Sequence, residues 1–172
     1  YDIPGFEDEE KRVIAGTIEG IRVINAYVPN GQDPESDKYL YKLRWLEAFT
    51  QYVKETLEQY EELIVIGDYN IAPTDDDVHN PVSWRGKILC TEKEREAFDK
   101  LLELGLLDGL RMHAQPAGLF TWWDYRQQGF EKNHGIRIDH LLLSKKLSRR
   151  LVSTKVHLDV RANERPSDHA SV

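Results

Sequence analysis

The segment Leu63-Ile64-Val65-Ile66-Gly67-Asp68-Tyr69-Asn70 constrains the fold more than any other stretch of the chain. Its four consecutive apolar residues, three of them β-branched, predict a strand buried on both faces. The run stops at Gly67. Asp68 and Asn70 follow two positions apart, which places a carboxylate and an amide on one side of an extended chain. Pro73 then prevents further regular pairing. A polar pair at the mouth of a dry strand is where an α/β protein carries chemistry. Both residue types also favour turns, so on this segment alone both readings stand.

The rest of the chain supplies partners for that strand. Residues 1–10 are polar and read as a loop. Two apolar runs, 12–18 and 21–27, flank Glu19-Gly20 and predict a β-hairpin. Pro29-Asn30-Gly31 opens a polar loop. Leu40, Leu43, Leu46, Phe49, Val53 and Leu57 then recur at three- and four-residue steps, an amphipathic helix over 38–59 that should pack on the strand it leads into. Residues 75–86, including Asp75-Asp76-Asp77, read as a solvated loop. Thr91 with Glu94 forms a capping-box pattern for a helix ending at Gly105. Further strands are expected over 106–110, 120–123, 136–144 and 151–160. Strands and helices mix without strict alternation, which predicts one domain with an α/β sheet, partly antiparallel, packed against helices.

Composition narrows the functional classes. With 172 residues, 40% hydrophobic and 31% charged, the chain can bury a sizeable core. No apolar run approaches the roughly 20 residues that span a bilayer. The formal net charge of −7 argues against gripping nucleic acid by bulk positive charge, but leaves room for a local basic patch and a bound cation. Cys90 is the single cysteine, which excludes a disulfide framework and makes a reducing, intracellular (cytoplasmic) compartment the expectation. No charged-then-apolar leader is visible, and the ends at Tyr1 and Val172 are expected to be cut points in a longer polypeptide.

Four short segments, 25–31, 67–73, 137–141 and 167–170, bring acid, amide, phenol and imidazole groups to strand ends. A metal-assisted phosphodiesterase needs such parts: carboxylates for a hard cation, a base to activate water, and donors for charge developing on phosphate. Plainer readings exist for each. Tyr27 is also a plausible strand-end aromatic, Asp139 a partner for Arg137, and Asp168-His169 a common dipeptide. His79, His113, His134, His140 and His157 share no metal-ligand spacing and read as structural or surface groups.

Together the segments Asn25-Ala26-Tyr27-Val28-Pro29-Asn30-Gly31, Gly67-Asp68-Tyr69-Asn70-Ile71-Ala72-Pro73, Thr121-Trp122-Trp123-Asp124-Tyr125-Arg126, Gly135-Ile136-Arg137-Ile138-Asp139 and Pro166-Ser167-Asp168-His169-Ala170 resemble the exonuclease III family of apurinic/apyrimidinic endonucleases. That resemblance implies a four-layer α/β sandwich of the endonuclease/exonuclease/phosphatase type, with part of one sheet absent here. It implies Mg²⁺- or Mn²⁺-dependent hydrolysis of double-stranded DNA 5′ to abasic sites, with 3′-5′ exonuclease and 3′-phosphatase activity, by a monomer. Asp68 is then the acid that handles the attacking water, and Asn70 fixes phosphate beside the metal. His169 contacts the scissile phosphate, Asp139 supports it, Asp168 is a metal-side carboxylate and Tyr27 lies near the leaving group. Trp122 would line the pocket for an extruded lesion. Arg126 and Arg137 would meet DNA, as could the basic residues of 145–150. The family's N-terminal strand, carrying an Asn and then a Glu that is the principal metal ligand, has no counterpart in these residues. Metal affinity should therefore be low. Another phosphoesterase of the same superfamily, or a non-catalytic binding relic, are the competing readings.

Overall fold

The computed structural model describes residues 2–113, 115 and 118–172; Tyr1, Ala114, Pro116 and Ala117 lie outside the described residues. Val13–Ile18 (β1) and Ile21–Tyr27 (β2) form the expected hairpin, and Glu19 and Gly20 between them both take positive φ, 49° and 85°. Positive φ at both central residues gives the turn whose twist matches that of its strands. β2 runs parallel to Leu63–Asp68 (β3). Leu106–Asp108 (β4) and β3 both pair antiparallel with a later strand, Asp139–Ser144, giving a five-stranded mixed sheet. Trp122–Trp123 (β5) and Gly135–Ile136 (β6) form a separate two-stranded ribbon, so Asp139–Ser144 is β7. Gly67 is required in β3: its φ is +136°, and a Cβ there would lie 1.9 Å from the Ala26 carbonyl oxygen.

One face of the sheet is covered by helices. Asp37–Gln59 (α1) starts at Ser36, whose hydroxyl accepts from the Tyr39 amide. Its Trp45, Leu46, Phe49 and Val53 are fully buried with Leu63 and Val65 of β3. After the single turn Pro81–Trp84 (α2), Glu92–Glu103 (α3) begins at the Thr91/Glu94 capping box and adds Phe98 and Leu101 to the same core. Trp45 stacks on Phe49 at 5.0 Å, and Tyr69 meets Phe49 edge-on.

The other face differs from expectation. β3 is buried on one face only: Leu63 and Val65 are inaccessible, whereas Ile64 and Ile66 are half-buried. Ile18 of the same sheet is 65% exposed. Its continuous apolar run marks a surface built to be covered, which no described residue does fully. The strand expected over 151–160 is absent. Val152 is exposed, the segment joins no ladder, and Leu158–Arg161 forms a short helix, numbered α5 after Lys145–Ser148 (α4). The 136–144 run is split because the Thr121 hydroxyl takes both the Ile138 and Asp139 amides, each at 3.0 Å, out of the ladder.

Asp77 was expected in a solvated loop; it is fully buried. It ends a 3-10 turn, accepts from the Thr74 amide and hydroxyl, and is ion-paired with Arg111 and Arg137. Burial alone would raise its pKa, but the two guanidinium groups hold it down at about 2. Arg137 also reaches Asp108 at 2.8 Å and His140 Nδ1 at 3.1 Å. His140 Nε2 must then carry the proton, which it donates to the Ile71 carbonyl at 2.8 Å.

Burial, and then the charge of Arg137, push the His140 pKa down to about 3. A depressed pKa means stability that is full above the ordinary value near 6.5 and is lost as pH falls toward 3. Between pH 7 and 4.5 this group is expected to remove about 2–3 kcal/mol. His140→Gln can keep both hydrogen bonds without titrating. Urea unfolding at the two pH values should show the variant losing that much less than the parent; an equal loss in both would refute the assignment.

Candidate active site

Strand register builds the site. Tyr27 pairs with Asp68 across β2 and β3, and Asp68 pairs with Asp139 across β3 and β7, so three of the expected site residues stand side by side at one end of the sheet. His169 arrives from the C-terminal segment. That segment is docked on β5 by the Trp123 amide to the Asp168 carbonyl (3.0 Å), by the Ala170 amide to the Thr121 carbonyl (2.7 Å), and by a bridge between Trp122 and His169. His169 Nδ1 lies 2.9 Å from Asp139 Oδ2, and its Nε2 lies 4.0 Å from Asp68 Oδ2. These groups, with Asn25 and Ser167, line an open cleft of about 410 Å³.

Asn70 organises Asp68. It takes φ +48°, a left-handed conformation that asparagine tolerates. Its backbone amide donates to Asp68 Oδ1 at 2.8 Å, and its side-chain amide donates to Asp68 Oδ2 at 3.2 Å and to the Val28 carbonyl at 3.0 Å. Asn30 Nδ2 in turn donates to Asn70 Oδ1 at 2.9 Å.

The electrostatics bring two titrations together. Burial, then the charge of Asp139, raise the Asp68 pKa to about 6 against the pull of the Asn70 amide, His169 and Lys42. Burial opposes charge on His169, but the Asp139 hydrogen bond and the charges of Asp139 and Asp68 outweigh it and raise the pKa. A carboxyl raised toward neutrality beside an imidazole favoured in its charged form can hold a proton at either group near neutral pH.

The remaining expected positions divide. Trp122 lines a second cleft, of about 490 Å³, with His79, Trp84, Lys87, Arg126 and His134, and its indole donates to Asp168 Oδ2 at 2.9 Å. Trp123 is core, as expected for one of two adjacent strand residues. Arg126 is on the surface and is chelated by Asp124. Tyr27 is half-exposed, with the Arg12 guanidinium 5.0 Å from its ring centre.

Arg137 corrects the expectation of a DNA contact. It is 2% exposed, and Asp77, Asp108 and His140 occupy its guanidinium, so it serves the core. The basic residues of 145–150 follow the end of β7 remote from Asp139, and Lys146 and Arg150 pair there with Glu61 and Glu62. They form a solvated turn away from the cleft. Asn30 and Lys42 were not foreseen. Asn30 read as a turn residue between Pro29 and Gly31, and Lys42 lies one residue from the apolar Leu43 of its helix.

The residues expected to offer oxygens to a cation are Asp68, Asn70 and Asp168. Among the described residues no group of three or more Asp, Glu, His or Cys side chains is arranged to hold a metal ion. Asp168 spends one oxygen on the Trp122 indole, and both Asp68 oxygens accept from Asn70. A hard cation takes about six oxygens, so these residues alone fall short of a complete site.

Residues 1–169 match the sequence profile of the Endonuclease/Exonuclease/phosphatase family. The chain belongs to that family. Exodeoxyribonuclease III of Haemophilus influenzae is 35% identical over 178 residues, covering 96% of this chain and 67% of that protein. Among solved structures, the 3′ phosphatase NExo from Neisseria, bound to product DNA hairpin, has a TM-score of 0.97 at 42% identity over 99% of this chain and 66% of that one. An AP endonuclease from Archaeoglobus fulgidus has a TM-score of 0.88 at 39% identity over 94% of this chain and 63% of that one. The chain thus spans about two thirds of the length of these relatives. Its mixed sheet and flanking helices are the α/β fold of the endonuclease/exonuclease/phosphatase family. Among the described residues no helix is long and apolar enough to cross a membrane.

Proposed function

We propose that this chain is part of a DNA-repair phosphoesterase that hydrolyses double-stranded DNA 5′ to abasic sites and removes nucleotides or phosphate from 3′ ends. The observation that carries this reading is the Asp139–His169–Asp68 row, with Nδ1 of His169 on one carboxylate and Nε2 facing the other. The names of the relatives, exodeoxyribonuclease III, 3′ phosphatase and AP endonuclease, support the DNA substrate. The single domain of residues 1–172 is proposed to be one part of a longer nuclease fold, acting as a monomer in the cytoplasm.

In this reading Asp68 orients the attacking water and takes its proton, and Asn70 holds Asp68 in place beside the phosphate. His169, charged and steadied by Asp139, neutralises the developing negative charge. Tyr27 lies toward the leaving group, Trp122 walls the pocket for the lesion, and Arg126 meets the DNA backbone once Asp124 releases it. Mg²⁺ or Mn²⁺ is the proposed cofactor, supplying charge for the phosphate oxygens. Asp68, Asn70 and Asp168 are its donors here, and at least one carboxylate from outside these residues is needed to complete the site.

The test is incision of an abasic duplex with Mg²⁺, comparing residues 1–172 with a chain extended to the length of its relatives. The longer chain should cut, and residues 1–172 should cut at least about a hundredfold more slowly, as expected when a metal ligand is lost. Equal rates would contradict the incomplete site, and no cutting of DNA by the longer chain would contradict the proposed function.

A further inference from the structure

Beneath the cleft, on the helix-covered side of the sheet, Lys42 of α1 and Glu94 of α3 form an ion pair, and both side chains are 0% exposed. An ammonium group has three donors. Those of Lys42 have three acceptors: Glu94 Oε1, the Asn70 carbonyl at 2.7 Å and the Asn30 carbonyl at 3.2 Å. Glu94 is fixed as well, accepting from the Leu89 amide at 3.2 Å, the Thr91 amide at 3.0 Å and the Thr91 hydroxyl at 2.8 Å.

The two residues whose carbonyls Lys42 grips are the two whose side-chain amides bond each other, and one of them, Asn70, holds Asp68. One ammonium therefore ties the loop after β2 to the loop after β3 from below. It also gives the left-handed Asn70 a carbonyl partner that regular pairing cannot supply. Burying such a pair seldom stabilises a protein more than apolar residues of the same volume would. What the pair adds here is position.

We infer that Lys42, braced by Glu94, is a positioning residue for the reaction: it sets Asn30 and Asn70, and through them the orientation of the Asp68 carboxylate. This rests on the proposed function for its catalytic consequence, but not for its structural one. Small misplacements of catalytic groups cost up to about a hundredfold in rate.

The experiment uses the chain at the full length of its relatives, as Lys42→Met and as the charge-neutral pair Lys42→Met with Glu94→Gln. Three readouts are taken: thermal stability, kcat and KM on abasic duplex, and hydrogen exchange of the ¹⁵N-labelled Asn70 side-chain amide. Lys42→Met leaves Glu94 buried and unpaired, so it should lose stability as well as rate. The double variant should recover most of that stability, yet keep a kcat about tenfold to a hundredfold below the parent with KM within about threefold. Its Asn70 side-chain amide should exchange at least about tenfold faster than in the parent. Recovery of kcat along with stability, or parent-like exchange at Asn70, overturns the inference. If the parent cuts no DNA, the proposed function fails, and the Asn70 exchange rate still decides whether Lys42 positions the site.

Discussion

Asp68→Asn is expected to lower phosphodiester hydrolysis by about a thousandfold while leaving DNA affinity within about threefold. Asparagine fills the same volume and keeps an oxygen for the Asn70 amide, but cannot take a proton from water. The stability change should have the opposite sign. A carboxyl whose pKa is raised to about 6 by burial and by Asp139 contributes most at low pH, and that contribution is lost as pH rises from 3.8 through 6. Removing the charge should therefore add about 1–3 kcal/mol at pH 7. A dead enzyme that unfolds less readily than its parent separates loss of chemistry from loss of structure. A variant that retains a tenth of parental activity would remove Asp68 from the role of base.

The second large effect is expected at Asp139. Asp139→Asn leaves His169 without the carboxylate that favours its charged form, and should lower kcat/KM by about a hundredfold or more. The pH profile carries the sharper information. Asp139 raises the pKa of His169, by hydrogen bond and charge, and that of Asp68, by charge. Without it, both limbs of the profile should move to lower pH: the acid limb because Asp68 ionises more readily, the alkaline limb because His169 loses its proton sooner. Limbs that stay in place, or move upward, would show that Asp139 acts only by filling space.

Much of this arrangement was legible along the chain, where local chemistry decided the outcome. Glu19-Gly20 between two apolar runs could hardly be other than a hairpin turn, and Thr91 with Glu94 marked a helix start at the correct residue. Asp68 and Asn70 after an apolar run marked one end of the sheet, and the strand-end positions of Tyr27 and Asp139 put them on either side of Asp68. What could not be read depended on residues far apart in sequence. The burial of Asp77 needs Arg111 and Arg137, 34 and 60 positions away. Arg137 faces inward because Asp77 and Asp108 await it there, and alternation between Ile136 and Ile138 does not reveal which side holds countercharge. Residues 151–160 have strand-like composition, but they join no ladder, and Leu158–Arg161 closes as a short helix instead. Nothing beside Lys42 in the sequence marks its role, because its partners, Glu94 and two backbone carbonyls, come from other elements.

The exposed face of the sheet has the same origin. Ile14, Ile18 and Leu107 belong to strands whose other side is sealed by α1 and α3. About a third of each relative's length lies outside the part matched here, which is length enough to cover it.

This cleft is proposed to break a phosphodiester bond by hydrolysis 5′ to a missing base. End-group analysis tests it most directly, with a duplex carrying one internal abasic site cut by the chain at the full length of its relatives with Mg²⁺. A 3′-hydroxyl on the upstream fragment and a 5′-deoxyribose phosphate on the downstream fragment are expected, with both lost in Asp68→Asn. Upstream fragments ending in an unsaturated aldehyde, the product of elimination on the 3′ side, would contradict it, as would cutting that survives Asp68→Asn.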